Sequence, residues 1–257
     1  MSSAARFIYA DNAATTRLLP QVLDKMIPYL TEEYGNPSSL YSFGQAARQG
    51  VDAARITMAE CLHCRPDEVF ITSGGSEADN WALKMVAESL EKKGKKHIVS
   101  TVFEHHAILH ALNALEKRGF EITLLPVYEN GIVRVEDVAA AIRPDTALVS
   151  VMFANNEIGT IQPIAEIGAL CRERKVLFHT DAVQAVGHVP VDFEGMHILP
   201  TTLSMPPALM VPILLKNSGV SSFDTGTSSA IFLKRSDLSL SEKADEVKSE
   251  KKKRILS

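Results

Sequence analysis

Residues 97–127 read HIVSTVFEHHAILHALNALEKRGFEITLLPV. Two short apolar runs, 97–101 and 121–127, each have the length of a buried strand. Between them, residues 104–118 form an amphipathic stretch that ends on Lys117, Arg118 and Gly119, as a helix does. Strand, helix and strand in about thirty residues make a βαβ unit, whose helix returns the chain so that the two strands run parallel.

The same alternation extends in both directions. Further strand-like runs are EVFIT at 68–72, ALVSVM at 147–152 and VLFHT at 176–180. Helices are expected near 20–33, 42–62, 76–93, 134–142 and 163–174. The pattern predicts an α/β fold with a largely parallel sheet and helices on both faces. The chain has 257 residues, of which 46% are hydrophobic, enough for one large domain or one domain and part of a second. With 23% charged residues and a net charge of −4, it is neither a disordered chain nor a nucleic-acid binder working through a broad basic face. No apolar run reaches the length of a spanning helix, and the N-terminus shows no secretory pattern. Three cysteines make no disulfide framework, so the cytoplasm is the expected compartment.

The texture changes after Ile198. LPTTLSMPPALMVPILLKN, residues 199–217, holds four prolines, which suit neither a long helix nor a central strand. Residues 234–254 carry eight Lys or Arg and five Asp or Glu, the composition of a solvated helix or a disordered tail. Three segments follow: a large domain over 1–198, a divergent segment of open fold over 199–233, and a charged tail over 234–257.

Polar clusters fall at the carboxyl ends of the predicted strands, which line the ligand crevice of an open α/β sheet. Thr72-Ser73-Gly74-Gly75-Ser76-Glu77 leads into a helix whose free N–H groups suit a phosphate, although Gly-Gly-Ser is also a common turn. Glu104-His105-His106 offers a histidine that can stack on a flat ring or move a proton, or that merely starts a helix. Asn155-Asn156-Glu157-Ile158-Gly159 suits either hydrogen bonding to a ligand or an Asx turn. His179-Thr180-Asp181-Ala182-Val183-Gln184 sets an acid at the end of a buried strand. Such an acid needs a partner, for example a protonated ring nitrogen such as that of pyridoxal phosphate, unless it caps a following helix. Cys61-Leu62-His63-Cys64 has the spacing of half a zinc site but no second pair, and no metal is expected.

In order and spacing, ADNAATT at 10–16, GNPSS at 35–39, FITSGGSEADN at 70–80, EHHA at 104–107, ANNEIG at 154–159 and HTDAVQAVG at 179–187 resemble the cysteine desulfurases of class V aminotransferase type, the NifS/IscS-like family. The resemblance covers residues 6–198. It implies the large domain of a fold type I pyridoxal-phosphate-dependent transferase, without the family's small C-terminal domain. Gly75 and Ser76 would hold the cofactor phosphate, and His105 would stack on the ring and handle protons. Asn156 and Gln184 would bond the ring oxygen, Asp181 would pair with the ring nitrogen, and DNAATT would border the substrate cleft. The family removes sulfur from L-cysteine, leaving alanine and a protein persulfide for iron–sulfur cluster or thio-cofactor assembly. It is homodimeric and passes sulfur to acceptor or scaffold proteins. Selenocysteine lyases and other class V enzymes are close relatives.

The chain then departs from that pattern. The family carries a Ser-x-His-Lys motif about two dozen residues beyond the position of Gln184, and its lysine forms the Schiff base. Here that stretch reads ILPTTLSMPPA over 198–208, and no lysine lies between Lys175 and Lys216. The region holding the family's nucleophilic cysteine is also unmatched, since Cys61, Cys64 and Cys171 all precede it. This puts the activity of this chain in question. The alternative is a non-catalytic product that binds the cofactor weakly or pairs with a full-length subunit. A nucleotide-binding Rossmann module is disfavoured by the missing G-x-G-x-x-G.

Overall fold

In the computed structural model, residues 8–12, 15–193, 195 and 196 are described, together with the backbone of two strands at 202–204 and 230–233. The expected charged tail, 234–257, and the rest of 199–233 lie outside the described residues.

Six α-helices follow the sequence pattern closely: α1 (Pro20–Thr31), α2 (Ser42–Leu62), α3 (Gly75–Glu91), α4 (His106–Glu116), α5 (Val135–Ala141) and α6 (Ile164–Glu173). Proline opens α1, where its missing N–H costs nothing. Helix α2 stops at His63, whose left-handed backbone (φ 53°) turns the chain toward the next strand.

Of the strands, β2 (His97–Thr101), β3 (Glu121–Leu125), β4 (Thr146–Ser150) and β5 (Leu177–His179) form one parallel sheet in the order β3-β2-β4-β5. Both β2 and β4 are buried at every position, as parallel strands covered on two faces must be. Alternate residues feed opposite cores. Ile98 and Leu148 pack with Leu83 and Ala87 of α3 and with Ile108 and Leu115 of α4. Val99, Val149 and Phe178 pack with Val138 of α5, Ile167 of α6 and Leu62 of α2. The α/β class with helices on both faces is as the sequence predicts.

One element differs. The run at 68–72 was expected in the parallel series, but β1 (Val69–Ile71) pairs antiparallel with β7 (Ala230–Leu233), which in turn pairs antiparallel with β6 (Thr202–Ser204). An apolar run marks burial and does not name its partner, so strand direction was not readable from EVFIT alone. The strand β6 has one partner among the described strands, and Pro200 and Pro206 flank it in sequence. A proline-rich segment is tolerated at such an edge. Helix α3 lies against β4 and also against β6 and β7, so it is shared by the two sheets.

Candidate active site

Chain order reverses at β2, whose neighbours are β3 on one side and β4 on the other. The loops leaving β2 and β4 therefore diverge to opposite faces and leave a crevice at the carboxyl edge, where ligands bind in open α/β sheets. Two backbone bonds carry the pairing of β4 and β5 past the strands. Val151 N–H donates to His179 O at 3.1 Å and Phe153 N–H to Asp181 O at 2.8 Å. They set the loop that begins at Asn155 beside Asp181.

The turn into α3 is tightly fixed. Thr72 Oγ1 donates to Gly74 O at 3.1 Å, and Gly75 is the first helical residue. Ser73 donates from both its backbone N and its Oγ to Glu77 Oε2 at 2.6 Å, which holds the Glu77 carboxyl below its ordinary range. With Glu77 turned back on the loop, the first-turn N–H groups around Gly75 and Ser76 are donors that no carbonyl within the helix satisfies.

His105 caps α4. Its Nδ1 accepts from Ala107 N–H at 3.2 Å, which leaves Nε2 to carry the proton of the neutral ring, and the side chain is exposed. The two readings of His105, helix start and ligand group, are thus compatible in one residue.

The asparagine pair divides in the same way. Asn155 is buried and structural: its Oδ1 accepts from Glu157 N–H at 2.9 Å and Ile158 N–H at 3.0 Å, and its Nδ2 donates to Phe103 O at 3.2 Å. This is the Asx turn, completed by Gly159 at φ 72°. Asn156 is half-buried and has no side-chain hydrogen bond among the described residues. The same holds for Gln184.

Asp181 is buried at the end of β5, and its Oδ1 accepts from Val183 N–H at 3.0 Å. No helix follows it in the described residues, so the alternative of a helix cap is replaced by a short turn. Burial pushes its carboxyl up, while that backbone bond and the nearby His105 pull it down.

Further buried polar groups lie at this edge. In the sequence Glu104 is one of a polar triplet, yet it is fully buried, and burial pushes it up to about 8. Asp79 and His179 are also buried, with Asp79 Oδ1 3.8 Å from His179 Nε2, while Ser150 Oγ lies 2.9 Å from His179 Nδ1. Burial pushes His179 down to about 4, so it is neutral in the interior. The chain thereby joins α3, β4 and β5 through polar groups beneath the crevice. Only the alternation of HIVST, ALVSVM and VLFHT, in which a polar residue replaces an apolar one near each strand's end, could have pointed to it.

The cysteines stand apart from this edge. Burial pushes Cys64 up to about 11 and Cys171 up to about 12, far from a thiolate at neutral pH. Among the described residues, no group of three His, Cys, Asp or Glu side chains could hold a metal. No helix there is long and apolar enough to cross a membrane.

Residues 8–199 match the family model for aminotransferase class-V, about three quarters of the chain. The chain belongs to the class-V aminotransferase family. Over 191 residues this class-V chain is 56% identical to cysteine desulfurase IscS of Clostridium botulinum (strain Kyoto / Type A2), a match that takes in 74% of this chain and 48% of that protein. A solved NifS-like protein superposes with a TM-score of 0.78 at 35% identity, over 89% of this chain and 59% of that one. SspA in complex with cysteine gives a TM-score of 0.78 at 31% identity, over 89% and 61%. The resemblance to cysteine desulfurases drawn from the motifs is borne out by these relatives. The chain spans about half the length of the curated relatives it matches.

Proposed function

We propose that this chain carries the cofactor-binding half of a pyridoxal-phosphate-dependent cysteine desulfurase, acting on L-cysteine. The observation that carries the reading is Asp181, a buried acid just beyond β5 whose charge is favoured by the exposed His105, with Asn156 and Gln184 following the same sheet edge in the chain and having no side-chain hydrogen bond among the described residues. A buried carboxylate is stabilised by a cationic hydrogen-bond donor, and a protonated pyridine nitrogen is one. The donor set also fits the rest of that cofactor. The start of α3 offers N–H groups for a phosphate, and Asn156 and Gln184 offer amides for a ring oxygen. His105, pinned through Nδ1 and exposed, is an aromatic ring that suits stacking.

When bound, pyridoxal phosphate supplies an electron sink for the carbon it activates. The chain's own part is to orient it. Asp181 would keep the ring nitrogen protonated, and the turn before α3 would hold the phosphate. His105 would stack on the ring, with Nε2 placed to hold or move a proton. Cysteine as substrate is supported by the cysteine complex of the related SspA. A non-catalytic role, as a weak cofactor binder or the partner of a full-length subunit, is favoured by one observation: no lysine lies between 175 and 216.

One experiment tests both readings. Titration with pyridoxal phosphate, followed by fluorescence, should show saturable binding. Borohydride treatment and peptide mass mapping should leave residues 185–220 unlabelled. Label on Lys216 would overturn the non-catalytic reading, and absence of saturable binding would overturn the cofactor assignment.

A further inference from the structure

Glu104 has no role in the cofactor reading, yet it occupies the point where the crevice opens. Its Oε1 accepts from Thr101 Oγ1 at 2.6 Å, at the last residue of β2, and from Met152 N–H at 3.0 Å, just beyond β4. One carboxyl oxygen thus ties together the two strands whose loops diverge. The other oxygen, Oε2, is fully buried and has no hydrogen-bond partner among the described residues. A buried carboxylate with one bare oxygen costs far more than a carboxylic acid carrying its proton there, because an unpaired hydroxyl is cheaper to bury than a charge. The neighbouring charges favour the same form. Asp181 opposes ionisation of Glu104, and His105, the next residue, acts chiefly on Asp181 by favouring its charge.

We propose that Glu104 is a positioning residue: in its neutral, protonated form it is a strut between the ends of β2 and β4 that holds His105 and Asp181 in place. Two carboxyl groups share this edge and divide the work. Glu104 stays neutral and sets the geometry, and Asp181 is left as the acid free to carry the charge. The strut stands on geometry alone. Only its consequence for pyridoxal phosphate rests on the function proposed above.

The test compares the wild-type chain with Glu104→Gln and Thr101→Val, without cofactor and then with it. The glutamine is the neutral isostere: its oxygen can accept both bonds, and its amide takes the place of the protonated Oε2. Without cofactor, Glu104→Gln should match wild type in urea midpoint at about pH 4.5, where the unfolded glutamate still holds its proton, and pull ahead of it as pH rises. It should exceed wild type at pH 9, where only the glutamate ionises. Superimposable pH profiles from 5 to 9, or a glutamine variant unfolded at pH 6, would overturn the proposal. With pyridoxal phosphate at pH 7, Glu104→Gln should bind within about twofold of wild type, and Thr101→Val about tenfold more weakly. Equal affinity for all three chains would overturn the positioning role. If wild type fails to bind the cofactor at all, the proposed function falls, and the cofactor-free pH profile still decides the strut.

Discussion

Asp181 and Asp192 both follow β5, but their surroundings differ. Asp181 is buried at the crevice, whereas Asp192 has a half-exposed carboxylate 3.4 Å from His63 Nδ1 and accepts from Gly195 N–H. Asp181→Asn removes a charge that a ring nitrogen would use, and a charge-assisted hydrogen bond is worth roughly 1.5–3 kcal/mol. Pyridoxal phosphate affinity should therefore fall about ten- to a hundredfold in Asp181→Asn and stay within about twofold in Asp192→Asn. Fluorescence titration of the two variants checks this, and equal affinities would count against the pocket. The split between Asn155 and Asn156 makes a parallel case. Asn155→Ala should cost stability, because it opens the Asx turn and leaves two N–H groups unpaired, roughly 1–3 kcal/mol. Asn156→Ala should leave the urea midpoint unchanged, since no described partner is lost.

Helix α6 depends on a small residue for its docking. A Cβ placed on Gly168 would lie 2.1 Å from the Met196 carbonyl oxygen, so the backbone beyond β5 presses directly on the helix. In a free helix, Gly→Ala gains roughly 0.5–1 kcal/mol. Here the obstacle is backbone and cannot swing aside, so Gly168→Ala should destabilise instead, by about 1–3 kcal/mol. A urea melt of that variant gives the sign. Elements of this kind show how far the sequence could be read. The helices and the four parallel strands were legible because their apolar spacing is governed by burial on one or two faces, as at HIVST and ALVSVM. The partner of β1 was not, because EVFIT would look the same in either sheet. In the site, His105, Asn156 and Asp181 stood out through their positions after strands. Glu104 did not, because nothing local tells that a glutamate beside an exposed histidine is wholly enclosed.

The buried titratable groups together set the pH at which the cofactor-free chain is most stable. Folded, Glu104 keeps its proton to about pH 8, whereas the unfolded chain gives it up near the ordinary value of 4.5. The folded state thus holds the extra proton between those values, and stability falls as pH rises toward 8. Asp181, also pushed up by burial, acts in the same direction. His179 acts in the opposite one: it sheds its proton by about 4 when folded and at 6.5 when unfolded, so stability is lost as pH drops from 6.5 to 4. Glu104 and His179 offset each other between about pH 4.5 and 6.5 and Asp181 tilts the balance toward acid, so stability should be highest on the acid side of pH 6.5, with about 2 kcal/mol lost from Glu104 alone between pH 6.5 and 8. Urea midpoints across pH 4–9 measure it, and a maximum at pH 8 or above would contradict it. The placement of the crevice has one more consequence. Its groups come from the ends of β2, β4 and β5, and α4, β3, α5, β4 and α6 must all be laid down between the first and the last of these strands. No short segment can assemble it early, because parallel pairing closes long loops before any contact rewards them. In a refolding experiment, helical signal should therefore return first. Quenching of cofactor fluorescence should lag behind it, which makes the ligand a clock for the final docking of β5.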